Sequence, residues 1–294
     1  MKTLIVQSDI RDKLVIDYLP STLSNAETID IAKASVARWA RANNFDYICY
    51  TTAIIPQSEF SDLACYGNFT EYVDFQKLFI YTDTYDRIMW LDADVVVYGN
   101  PQLDNAWFSV RYNSTIYGDP LTPRPNSGCY YGSADAFKQL YSYSQQQLSP
   151  ETRDPKYQAY LSFPEIPGKG KRSCSQEILA YWMVQATNSI IPMTKDLHTF
   201  FTYDILSNNS FVHLVGNNKY FKLCLLRWLL KADDVTRSIM YDILNAQEFD
   251  ELQHNDKWYK QMDLANTMFT VGPILKNSRR ASHGTGEPNE QTTT

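Results

Sequence analysis

Residues 87–101 read RIMWLDADVVVYGNP, an apolar run with two carboxylates, Asp92 and Asp94, in its middle. Burying two negative charges without a partner is expensive, because each loses its hydration. The flanking residues are apolar and β-branched, as in a strand covered on both faces. The pattern predicts one central strand over residues 87–98, with both aspartates near its C-terminal end. In open α/β sheets, ligands bind at that edge. Residues two apart on a strand point the same way, so both carboxylates can address one site. Two carboxylates with one spacer suit a hard divalent cation, which supplies the missing positive charge.

The segments before this stretch fit a parallel sheet. TLIVQ (residues 3–7) reads as a buried first strand that opens into a loop at Ser8 and Asp9. SNAE (residues 24–27) fits a capping box, and Ile29, Ala32, Val36 and Trp39 follow at helical spacing, which predicts a helix to about Asn43. DYICYTT (residues 46–52) is a second strand. Strand, helix, strand in that order implies a right-handed βαβ unit. EYVDFQKLFIYTDTY (residues 71–85) predicts another helix.

Further on, GDPLTPRPNSGCYYG (residues 118–132) reads as turn-rich before a short strand at Cys129–Tyr131. PEIPGKGKRS (residues 164–173) has the composition of a mobile loop. SQEILAYWMVQA (residues 175–186) predicts a helix, and SFVHLVG (residues 210–216) a late strand. Residues 223–275 read as a helical extension packed on the same domain. Residues 276–294 are polar and read as a disordered tail.

The bulk composition is compatible with this plan. With 294 residues, 44% hydrophobic and 20% charged, the chain can bury the core of one large α/β domain. A net charge of −6 argues against general nucleic-acid binding. The five cysteines are widely spaced with no CxxC pair, which predicts buried free thiols in a reducing compartment. The N-terminal apolar run is too short for a signal peptide. FKLCLLRWLL (residues 221–230), broken by Lys222 and Arg227, is far short of a membrane span. The expected location is cytoplasmic.

A second motif bears on the aspartates. HLVGNNK, residues 213–219, has the form HxxGxxK. His213 can complete a metal sphere and favours Mn²⁺ over a site made only of oxygens. Gly216 permits close approach of backbone to ligand. Lys219 can neutralise a phosphate oxygen. Metal on one side and ammonium on the other suit a diphosphate, whose departure requires its developing charge to be stabilised. That is the chemistry of transfer from a sugar nucleotide.

At these residues the chain resembles the metal-dependent glycosyltransferases of the GT-A fold, especially family 8. The matching segments are residues 77–101, NSGCYYGSADAF (126–137), SQEILAYW (175–182) and HLVGNNK, in family order. The resemblance implies a Rossmann-like α/β domain over residues 1–222, with a mostly parallel central sheet flanked by helices. It implies that Asp92, Asp94 and His213 bind Mn²⁺ (or Mg²⁺) and that Lys219, with Gly216, contacts the donor diphosphate. Gln7 and Ser8 would lie near the base, Lys77 beside the donor, and Asn126 and Asp119 would face the donor sugar. The donor would be a nucleotide sugar, UDP-linked by preference. The acceptor would be a glycan, glycoconjugate or protein.

There is one departure. The family has Asp-Gln before the helix that here starts SQEIL, whereas this chain has Ser175-Gln176. Gln176 matches the residue beneath the sugar's anomeric carbon in retaining enzymes, so retention is the expected outcome. If the reaction inverts, Asp119 or Glu177 would serve as base. Two rival functions fit parts of the sequence. A phosphatase of the haloacid-dehalogenase type also carries DxD after a hydrophobic strand, but places it on the first strand. A non-catalytic sugar-nucleotide or carbohydrate-binding protein would account for the absent carboxylate.

Overall fold

The computed structural model describes residues 1–10, 25–60, 73–116, 119–162, 174–186, 188–200 and 209–214. The chain opens with β1 (Thr3–Ser8), α1 (Asn25–Ala42) and β2 (Asp46–Tyr50). It continues through β3 (Arg87–Leu91), β4 (Val95–Tyr98), β5 (Phe108–Ile116) and β6 (Asp119–Ser133). Helices α2 (Ala134–Leu148), α3 (Pro155–Ser162) and α4 (Cys174–Gln185) follow. The short strands β7 (Ile190–Pro192), β8 (His198–Phe200) and β9 (Ser210–His213) come last.

Six strands form the main sheet in the order β2-β1-β3-β6-β5-β7. β1 pairs in parallel with both β2 and β3, and β5 in parallel with β7, while β6 runs antiparallel to β3 and to β5. The expected α/β architecture with a largely parallel sheet is present. β4, β9 and β8 make a second, three-stranded sheet.

The pleat sorts the strand residues into two cores. Leu4, Val6, Ile88, Trp90 and Tyr130 face one side, where they meet Phe137 and Leu140 of α2 and Ile178, Leu179 and Trp182 of α4. Their sequence neighbours Ile5, Met89, Leu91, Cys129 and Tyr131 face the other side, against Val36, Trp39 and Ala40 of α1 and Phe211 of β9. This is the period of two expected of strands covered on both faces. Cys129 is buried, and Cys49 is half-buried. Among the described residues, no helix is long and apolar enough to cross a membrane.

The structure corrects three expectations. The run 87–98 is two strands rather than one: Val95 N donates to Asp92 O at 3.1 Å, and the chain turns out of the main sheet into the small one. Aspartates favour such turns. The helix expected over 71–85 ends early. A 3-10 turn covers Gln76–Phe79 and Ile80 is extended. Tertiary bonds fix that turn, because the Gln76 amide oxygen accepts from the nitrogens of Ile54 and Ile55 at 2.7 and 2.8 Å. The Pro-rich stretch before Cys129 is the first part of β6, not a run of turns. Residues 119–125 extend past the end of β3, so that edge of the strand needs no amide donors and tolerates proline.

The capping serine Ser24, the loop 164–173, and the helical extension and tail beyond residue 222 lie outside the described residues. So do the domain boundaries drawn from them.

Gly132 sits where β6 lies between Ile88 of β3 and Phe108 of β5. A methyl group there would stand 2.6 Å from the carbonyl oxygen of Trp107, a backbone atom that cannot swing away. Gly132→Ala is therefore expected to destabilise the fold by about 1–3 kcal/mol, read from the urea midpoint.

Candidate metal and donor site

The site lies at the C-terminal ends of β1 and β3. Asp92 is the first residue after β3, and its backbone is held from both sides. Its amide donates to Gly128 O at 2.8 Å, and its carbonyl accepts from Gln7 Nε2 at 3.0 Å. Gln7 is oriented in turn by Tyr47, whose hydroxyl donates to Gln7 Oε1 at 2.9 Å. The Asp92 carboxylate takes hydrogen bonds at Oδ1 from Trp90 Nε1 (2.8 Å) and Lys77 Nζ (3.2 Å).

Asp94 lies in the turn that leads into β4, and its carbonyl accepts from Leu214 N at 3.1 Å. β4 and β9 pair antiparallel, with Val95 opposite His213. That register brings His213 Nε2 to 3.2 Å from Asp94 Oδ1 and 3.9 Å from Asp92 Oδ2. One ligand atom from each of Asp92, Asp94 and His213 lies within 4.8 Å of the others. Among the described residues, this is the one group of histidine, cysteine and acidic side chains so placed. Two carboxylates and one imidazole, half-buried or buried, form a donor set suited to Mn²⁺ or Mg²⁺.

Two features behind the group set its shape. Gly128 lies under the imidazole so closely that an added Cβ would stand 2.2 Å from His213 Cε1. Asn126 Oδ1 accepts from Gly128 N at 2.9 Å and holds this stretch of β6 in place. His198 of β8 also stacks on His213, with centroids 5.6 Å apart. His198 is completely buried, and burial, then His213 and Arg111, push its imidazole well below the usual histidine range. It packs as a neutral ring.

Among the described residues, Lys77 places a positive charge beside the group. Its ammonium is 1% exposed and pairs with Asp74, with Asp92 and with the carbonyl of Ser127. Burial alone would lower its pKa, but Asp74 and Asp92 outweigh burial and raise it. Lys77 is thus a fixed counter-charge under Asp92. Asp74 also accepts from the Ser175 hydroxyl, on the first turn of α4. Gln176 comes next and is half-buried, and its Oε1 has no partner among the described residues. The Ser8 hydroxyl at the end of β1 is likewise buried and unpartnered among the described residues.

The other expected residues make contacts outside the Asp–Asp–His group or fall outside the described residues. Asp119 accepts from Thr122 Oγ1 at 2.6 Å where β6 begins, opposite Ile116 at the end of β5. Glu177 is 3% exposed and pairs with Arg124 Nε at 2.8 Å. Gly216 and Lys219 lie outside the described residues. Gly128, Asp74 and Trp90 were not singled out for site roles in the sequence. Their signals were the glycine of NSG, the i,i+3 spacing of Asp74 and Lys77, and a tryptophan two residues before an aspartate.

Burial pushes the Glu177 carboxyl up to about 7 despite the opposing Arg124. The folded chain therefore keeps this proton between pH 4.5 and about 7, where the unfolded chain releases it. Stability from this group falls as pH rises through that window, by on the order of 3 kcal/mol in total. Glu177→Gln should flatten the change in urea midpoint over the same range.

No family model matches the chain, and no curated protein matches it. Solved structures similar to this chain include three glycosyltransferases. One is a glycosyltransferase involved in glycosylation of the major capsid of PBCV-1, with 11% identity, 77% of this chain and 99% of that chain covered, and a TM-score of 0.48. Another is the galactosyltransferase LgtC in complex with donor and acceptor sugar analogues, with 13% identity, coverage of 81% and 99%, and a TM-score of 0.42. A third is mouse xyloside xylosyltransferase 1, with 12% identity, coverage of 67% and 86%, and a TM-score of 0.39.

Proposed function

We propose that this chain transfers a sugar from a nucleoside diphosphate sugar, UDP-linked by preference, to a glycan, glycoconjugate or protein acceptor. The observation that carries the reading is the convergence of Asp92, Asp94 and His213 at the C-terminal edge of the sheet, backed by the buried ammonium of Lys77. These three residues would hold Mn²⁺ or Mg²⁺, which supplies positive charge to a departing diphosphate.

The chain's own groups do the rest. Lys77 holds the Asp92 carboxylate in place. Ser8 and Gln7 end β1 where the base would lie. Asn126, whose side-chain oxygen accepts from Gly128 N, has no partner for its amide N–H groups among the described residues and would donate them to the sugar. Lys219 of HxxGxxK is assigned to the diphosphate. Gln176 presents an amide oxygen toward the anomeric carbon. An amide is a weak nucleophile, so front-face attack with retention is the favoured course. The bond from the anomeric carbon to the phosphate oxygen breaks, the acceptor hydroxyl oxygen bonds to that carbon, and its proton passes to the departing phosphate. No protein base is required, which leaves Glu177 in its ion pair with Arg124.

The test is a panel of UDP- and GDP-sugars with Mn²⁺, read as released nucleoside diphosphate. Release from one donor, lost on chelation, is the expected result. Phosphate release from phosphomonoesters through an aspartyl-phosphate would overturn the reading in favour of a phosphatase. Binding of sugar nucleotides with neither hydrolysis nor transfer would favour a binding protein.

A further inference from the structure

The Asp74 carboxylate joins two parts of the site. One oxygen accepts from Lys77 Nζ and the other from Ser175 Oγ. The same ammonium reaches Asp92 Oδ1 at 3.2 Å. Lys77 is 1% exposed, whereas Asp74 and Asp92 each keep 26% of their side chains exposed. The cation therefore forms a floor, and each of the two carboxylates beside it keeps an edge open to solvent.

Two carboxylates face one ammonium, so the trio carries a net negative charge. Asp74 is the nearer of the two to Lys77. It is held in place on its far side by Ser175, within the first turn of α4, where the helix dipole favours an anion. The next residue, Gln176, carries a buried amide oxygen with no partner among the described residues. An ionised carboxylate accepts about four hydrogen bonds, and Asp74 has two donors among the described residues. The place between Asp92 and α4 thus holds spare acceptors. A sugar ring, with several hydroxyl donors, is the ligand chemistry that fits.

We infer that Asp74 contacts the glycosyl group of the donor and, with Gln176, selects its hydroxyl pattern. Ser175 has no carboxylate of its own, and its hydroxyl instead holds the one supplied by Asp74. The inference rests on the glycosyl-transfer reading.

The experiment compares Asp74→Asn with wild type in two measurements: kcat/KM with the sugar nucleotide that wild type turns over, and the Kd of the matching nucleoside diphosphate, UDP or GDP, in MnCl₂. Loss of a hydrogen-bonded hydroxyl contact should lower kcat/KM by about 30-fold or more. The nucleoside diphosphate has no sugar, so its affinity should stay within about threefold. Ser175→Ala should lower kcat/KM several-fold in the same pattern. Asp74→Ala combined with Ser175→Asp should recover about tenfold over Asp74→Ala alone, because the carboxylate returns from the other side. An equal fall in diphosphate affinity would overturn the inference, since Asp74 would then act through Lys77 on Asp92. Unchanged turnover would overturn it also. Should Asp74→Asn not fold, Ser175→Ala decides by the same two measurements. Absence of turnover by wild type with every donor would overturn the glycosyl-transfer reading and this inference together.

Discussion

On the proposed reading, Asp94→Ala is expected to remove divalent-dependent binding of the nucleoside diphosphate and to lower transfer by on the order of 10³-fold, while the protein stays folded. The carboxylate is one of three groups facing a common point, and its Oδ1 lies 3.2 Å from His213 Nε2. Alanine deletes that group without disturbing the backbone bond from Leu214 N to the residue's carbonyl, so β4 and β9 remain paired. Removing one of two neighbouring carboxylates also relieves repulsion in the metal-free protein, so the thermal midpoint should be unchanged or slightly higher. The checks are a thermal-shift titration with Mn²⁺, with and without UDP, and initial rates of transfer. His213→Ala should behave alike in both. Full activity in either variant would remove the group from the chemistry.

The second large effect is expected at a residue with no reactive atom. Gly128→Ala would place a Cβ 2.2 Å from His213 Cε1 and 2.7 Å from Nδ1. The ring cannot retreat freely, because His198 is stacked on it. Either His213 leaves the carboxylates or β6 shifts and weakens the bond from Asp92 N to Gly128 O. Affinity for Mn²⁺ and turnover should both fall by about 10- to 100-fold, the scale of changes to groups that orient metal ligands. Overpacking should also cost about 1–3 kcal/mol of stability. A double-mutant cycle isolates the cause: in a His213→Ala background, Gly128→Ala should cost far less stability, because the ring it strikes is gone. Equal costs in both backgrounds would place the strain elsewhere.

The first half of the fold was legible because its signals are local. β1, α1 and β2 each carry their own period, and burial follows it: Leu4 and Val6 face one core while Ile5 faces the other. The run of residues 87–98 was read as continuous because its hydropathy is continuous. Its break at Asp92 depends on tertiary partners: β3 pairs with β1 and β6, and β4 with β9. No local pattern encodes that exchange of neighbours. The length of β6 was hidden by three prolines, which an edge without a partner strand can accept.

At the site, Asp92, Asp94 and His213 stood out because motif spacing and residue chemistry agreed, and the geometry brings them together. Lys77 was named, but its burial between two carboxylates was not foreseeable. Asp74 was missed because its partner Ser175 is remote in sequence, and such a bond leaves no periodic trace.

The β4–β9 register also governs when the site can exist. The three candidate ligands come from positions about 120 residues apart in the chain, so ordering them carries the entropy of closing a long loop. The Asp–Asp–His group is complete only when β9 lies against β4. A bound ion would then act as a crosslink between early and late segments, and its binding free energy would favour the finished topology over partly assembled ones. Chelation competence is thus a report that the chain has closed.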